Sequence, residues 1–368
     1  MDTDCFRIGM TRSEKKIVFG ALFLCAPLLF MACNDPMFPK IRWEVPLESA
    51  TIRGTVNSLV RFNDNLYTQN GAIYTKGKDA SHHGAWQRLS APDSALSYDP
   101  YSGTYSGLYI TKLAADNTKL YALGTRFENK SGETEPSEIV LYFSTDTATW
   151  DHLYTWSYDK NNTVNIFCTN AAEATHRKAY VRVGSSVYEL SMVTENNLGS
   201  TVSGILGDSP SSSTNAAVYF SSNYYLFDTT AAGTSSSRIY RAAGSTLKSS
   251  TDGSVWDECD AGGEVVSLAV NSDSVIVGSN GRGLVRISLK SDGSLDGRTA
   301  SFATNADSAL NTPYRIPLLF SLDPTKTETA NTLYASATFR GTESTSTGNG
   351  DDVCLWSYYP DRGNWNRE

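Results

Sequence analysis

Four tryptophans stand behind short acid-bearing turns, and the spacing of these turns constrains the fold more than any other feature. Ser144-Thr145-Asp146-Thr147-Ala148-Thr149-Trp150, Ser250-Thr251-Asp252-Gly253-Ser254-Val255-Trp256 and Asp361-Arg362-Gly363-Asn364-Trp365 each place the tryptophan four residues after the aspartate, and a stretched version runs from Asp79 to Trp86. The intervals are 64 residues from Trp86 to Trp150, 106 from Trp150 to Trp256 and 109 from Trp256 to Trp365. The last two therefore read as doubled units of roughly 53 to 55 residues. Two degenerate turns are expected near residues 203 and 310, with Ser291-Asp292-Gly293-Ser294 the candidate for one of them, somewhat early.

Each unit holds three readable strands. They are 56–62, 65–68 and 72–75 in the first, then 107–114, 119–123 and 137–143; 164–168, 178–183 and 186–190; 216–220, 224–227 and 238–240; 265–270, 274–278 and 283–289; and 315–321, 332–339 and 353–356. Alternating aromatic and β-branched residues broken by Asn-Asp, Asp-Asn and Ser-Asp turns are the strand and hairpin signature. No stretch after residue 35 reads as an amphipathic helix, and the polar tracts 209–214, 229–237 and 341–350 read as loops. The chain is expected to be all-β.

The turns resemble the Asp-box, the S-x-D-x-G-x-x-W hairpin of sialidase-like and related β-propellers, in a form one residue shorter. The residue types suit that structural role. Ser and Asp side chains cap backbone N–H groups of a turn, Gly accepts positive φ, and Trp fills the space between sheets. The resemblance implies a β-propeller of six blades, with seven the alternative. Only three residues follow Trp365, too few for a full outer strand, whereas Arg42-Trp43-Glu44-Val45-Pro46-Leu47 is similar to Trp86-Gln87-Arg88-Leu89 and Trp150-Asp151-His152-Leu153. The N-terminal segment 41–47 is therefore expected to supply or reinforce the outer strand of the last blade, leaving no long free edge.

Ahead of this lies an export signal. Arg12, Lys15 and Lys16 precede an apolar run from Ile17 to Met31, interrupted by Pro27 and too short for a permanent span. Leu28-Leu29-Phe30-Met31-Ala32-Cys33 resembles the lipobox of bacterial lipoproteins, in the looser form found among spirochaetes, with Phe30 in place of the usual leucine. The expected organisation is a signal peptide over 1–32, a lipidated tether over 33–40 and the propeller over 41–368. The resemblance implies a diacylglycerol and palmitate anchor on Cys33, no other cofactor, and an extracytoplasmic, membrane-attached protein, on the outer membrane in a bacterium that has one. An ordinary secretory signal, the alternative, still places the chain outside the cytoplasm.

Four bases and three acids leave with residues 1–32, taking the net charge from −8 to −9. So acidic a mature chain excludes nucleic acid as a partner, since phosphate backbones demand a basic face. Cys168, Cys259 and Cys354, about 90 residues apart, have neither metal-ligand nor redox spacing; buried thiols, or one bridge and a free thiol, are the options. None of His82, His83, His152 and His176 has a partner at ligand spacing, so no metal site is expected. Tyr314-Arg315-Ile316-Pro317 is similar to the F/Y-R-I-P motif of sialidases, whose arginine grips a substrate carboxylate. Arg61, and less so Arg340, could join it. In sialidases the motif opens the first blade, whereas here it falls in the last, and the remaining catalytic set cannot be assigned. The function expected is that of a binding or scaffold protein, monomeric, with a protein or glycan partner; a sialidase-like hydrolase using Arg315 is the alternative.

Overall fold

The computed structural model describes residues 51–78, 86–93, 97–99, 104–130, 133–160, 163–168, 177–202, 224–227, 238–250, 255–280, 283–301, 310, 315–323, 325–338, 353–360 and 364–368. Among these, six antiparallel sheets follow one another along the chain, each a meander in sequence order. The first holds β1 (Leu59–Phe62), β2 (Asn65–Asn70), β3 (Ala72–Gly77) and β4 (Gln87–Arg88). The second has five strands, β5 (Ser97–Asp99), β6 (Thr104–Ala115), β7 (Leu120–Lys130), β8 (Glu133–Ser144) and β9 (Asp151–Ser157). The third has β10 (Val164–Cys168), β11 (Ala179–Val183) and β12 (Ser186–Glu189), whose outer edge is met by Val202 N–H on the Val187 carbonyl at 2.8 Å. The fourth has β13 (Tyr224–Phe227), β14 (Arg238–Ala243), β15 (Thr246–Ser250) and β16 (Asp257–Asp260); the fifth β17 (Val265–Val270), β18 (Ser274–Ser279), β19 (Leu284–Leu289) and β20 (Leu295–Ser301); the sixth β21 (Arg315–Ser321), β22 (Leu333–Thr338), β23 (Leu355–Tyr359) and β24 (Asn364–Arg367).

The sequence explains why these sheets stack. In β17 and β18 every residue is buried, and both strands are apolar or small throughout, as strands covered on both faces must be. Apolar clusters then sit between consecutive sheets. Val60, Phe62 and Ile73 of the first pack with Leu108, Ile110 and Leu113 of the second. Leu123, Leu141 and Trp156 of the second meet Ile166, Val181 and Leu190 of the third. Tyr240 and Leu247 of the fourth meet Leu268, Val275 and Ile287 of the fifth, and Ile276 and Leu284 of the fifth meet Ile316, Leu333, Trp356 and Trp365 of the sixth. Burying each such side chain is worth roughly 1.5–3 kcal/mol, so these four pairs of neighbouring blades are held together by apolar contacts. Strands β1, β6, β10, β17 and β21, one from each of five sheets, with flanking residues, surround a central channel. The architecture is a six-bladed β-propeller.

The last blade is sewn to the first. Leu59, Leu66 and Trp86 pack against Leu318, Phe320, Tyr334 and Leu355. Backbone bonds extend the join: Ile52 N–H donates to the Glu368 carbonyl at 3.1 Å, Leu355 N–H to the Ile52 carbonyl at 3.4 Å, and Gly54 N–H to the Val353 carbonyl at 2.7 Å. Residues 52–54 thus prolong β24 along the edge of β23, with Arg53 opposite Cys354. Segment 41–47, expected in that position, lies outside the described residues.

Strand assignment from the sequence is corrected in places. Among the described residues the fourth sheet begins at 224–227, and Thr246–Ser250, where no strand is expected from the sequence, is its third strand; the strand expected over 216–220 lies outside the described residues. The polar side chains of Thr246, Lys248, Ser249 and Ser250 hide it, since pairing with β14 and β16 rather than hydrophobicity fixes it. The degenerate turn at 291–294 joins β19 to β20, and Asp292 Oδ1 accepts from the Ser294 N–H at 2.9 Å and hydroxyl at 2.6 Å. It marks the third-to-fourth strand turn of the fifth blade itself, so no further turn near 310 is called for.

Candidate functional site

The innermost strands bring cations into the channel. A narrow cavity of about 40 Å³ is lined by Arg61 of β1, Lys112 of β6, Cys168 at the end of β10 and Arg177 just before β11, against a wall of apolar residues from β1, β6 and β21. Beyond Lys112 the channel widens to about 310 Å³, lined by Asn57, Thr111, Lys112, Asn165 and Arg315 among others. No carboxylate or tyrosine is among the described residues lining either space.

Burial shapes the charges there. Lys112 is 9 % and Arg177 7 % exposed. Desolvation draws the Lys112 ammonium down to about 8, with the neighbouring Cys168 opposing. Desolvation, reinforced by the like charge of Arg61, draws Arg177 down to about 10. Burial raises the Cys168 thiol, partly countered by Lys112 and Arg177. Arg61 donates only a long bond, 3.5 Å, to the Leu322 carbonyl, and its Nε is buried without a partner.

Arg61 and Arg315 do not form one set. Arg315 opens β21, whereas Arg61 reaches the carbonyl of Leu322, just past the far end of the same strand. Seven strand residues span roughly 20 Å, so the two arginines stand toward opposite ends of the channel and their expected pairing is corrected. Arg61 instead shares its cavity with Lys112 and Arg177, which sequence inspection missed. A lysine in the apolar run Leu108-Tyr109-Ile110-Thr111-Lys112-Leu113-Ala114-Ala115 was the available signal; Arg177 carried none. Tyr314, Arg340, His82, His83 and His176 lie outside the described residues, as does Cys33. Cys168, Cys259 and Cys354 are all free thiols, and no group of three or more potential metal ligands occurs among the described residues.

Of the turn residues, Asp146 is described in full. Its Oδ1 accepts from the N–H groups of Ala148 and Thr149 at 2.9 and 2.8 Å, while the Ser144 hydroxyl accepts from Thr147 N–H at 2.7 Å, and Thr147 sits at φ +65°. The Thr149 and Ala148 amides hold the carboxyl down to about 2. Trp150 packs against the cluster between the first two blades, and Trp86 and Trp365 are buried between the first and sixth and the fifth and sixth. Trp256 is half-buried at the start of β16. Asp79, Asp252, Gly253 and Asp361 lie outside the described residues.

Comparison with known proteins gives one family. Residues 6–126 match the TP013X lipoprotein family, a stretch that takes in the apolar N-terminal run, the first blade and the second as far as β7. No curated protein matches the chain. Among solved structures, the chain is similar to YCF48 from Cyanidioschyzon merolae at 12 % identity and TM-score 0.38, covering 88 % of this chain and 87 % of that one. It is similar to BBS1N in complex with ARL6DN at 11 % identity and TM-score 0.40, covering 87 % and 83 %. The WD40 β-propeller domain of Doa1 matches at 10 % identity and TM-score 0.32, covering 80 % and 92 %. The family match over the N-terminal third and the six-bladed ring together support a lipoprotein β-propeller.

Proposed function

We propose that the protein is a binding or scaffold protein, lipid-anchored through Cys33 outside the cytoplasm, whose propeller takes a protein or glycan ligand at its central channel. The observation that carries the reading is the channel: cations from three blades converge in it, on a frame whose blades are fixed to one another by apolar clusters and, between the last and first, by backbone bonds. Binding sites favour concave places where a rigid scaffold holds a few polar groups. The short tether 33–40 keeps the disc near its membrane, the outer one in a bacterium that possesses it, and the protein works as a monomer. The hydrolase alternative needs an arginine cluster around Arg315 with acids and a tyrosine beside it. Among the described residues Arg315 shares its opening with Lys112 alone of the charged groups, and nothing favours that reading.

A photo-crosslinking residue placed at Asn57 or Asn165, on the wide end of the channel, tests this in membranes carrying the full-length protein. The expected result is a discrete crosslinked species that Arg315→Ala weakens. Turnover of a fluorogenic sialoside, abolished by Arg315→Ala, would instead establish the hydrolase.

A further inference from the structure

We draw no further inference here: the strongest candidate, the β7–β8 hairpin of the second blade, which outgrows the strands of the other blades and exposes Glu128, Glu133 and Glu135, is an acidic cluster to which no second observation in the structure adds a ligand.

Discussion

Lys76 and Glu368 meet in the wall between the first and last blades, Nζ to Oε2 at 2.7 Å, with both side chains fully buried. The pair is well surrounded. Trp86 Nε1 donates to the same Oε2 at 2.7 Å, Lys76 also donates to the Tyr359 hydroxyl at 2.9 Å, and the hydroxyls of Ser357 and Tyr359 donate to Oε1. The ammonium lies 5.5 to 5.8 Å from the ring centres of Trp86, Tyr334 and Tyr359, within range of cation–π attraction. A buried pair gains little over apolar packing but is costly to break, because the partner left behind is charged and dry. It therefore fixes which blade closes on which.

Lys76→Met or Glu368→Gln alone should destabilise the protein by about 3–5 kcal/mol, whereas Lys76→Met with Glu368→Leu should recover most of the loss. Urea unfolding of the three variants measures this. Additive losses in the double variant would mean that the two residues do not act as a pair.

Gly278 of β18 faces the inner strand of the sixth blade. A methyl group there would strike the Ser267 hydroxyl and approach the Ile316 carbonyl to 2.9 Å, and Ser267 Oγ donates to that carbonyl at 2.6 Å. Gly278→Ala should cost about 2–3 kcal/mol through overpacking and loss of the bond. Alanine at Gly184, where open space surrounds the added carbon although φ is +59°, meets no such clash and pays only the smaller backbone strain. A melting curve of Gly278→Ala no lower than that of Gly184→Ala would contradict this.

Lys112 makes stability depend on pH in an unusual direction. Its pKa falls from 10.5 to about 8 on folding, so the cost of its charge is fully present below pH 8. Between 8 and 10.5 the unfolded chain binds the extra proton, and stability rises with pH. Above about pH 10 Tyr121 and Tyr180, which burial keeps protonated longer, reverse the trend, because unfolded tyrosines ionise first. Stability should therefore increase by about 2 kcal/mol from pH 7 to pH 9.5, and Lys112→Met should remove the rise. A wild-type profile that superimposes on the Lys112→Met profile would contradict this.

Asp146 organises its turn through its carboxylate, and its contribution runs the other way. With the folded pKa held down to about 2, the stabilisation is present above about pH 4 and lost as pH falls through 2. Asp146→Ala should speed amide hydrogen exchange at Ala148 and Thr149 without altering the β-sheet spectrum; unchanged protection would show that the turn holds itself.

The legible part of this protein was its periodicity. Trp86, Trp150 and Trp365 lie between blades, the strands expected over 164–168 and 265–270 stand at those residues, and the one expected over 56–62 is found at 59–62. The fourth blade was misread because its third strand is polar and its pairing is long-range. The cation cluster was half legible: Arg61 was visible as an inner-strand arginine, but its companions depend on how three blades converge, which no local pattern encodes. The same holds for Lys76 and Glu368, 292 residues apart, each ordinary in its own context.

The most direct test of the account is the chemistry at Cys33. The full-length protein, produced with its own first 32 residues in a bacterial host fed an alkyne-bearing palmitate analogue, should carry the label, partition with membranes, and lose both properties in Cys33→Ala. Label-free protein in the soluble extracytoplasmic fraction, with wild type and Cys33→Ala alike, would contradict a lipid-anchored propeller.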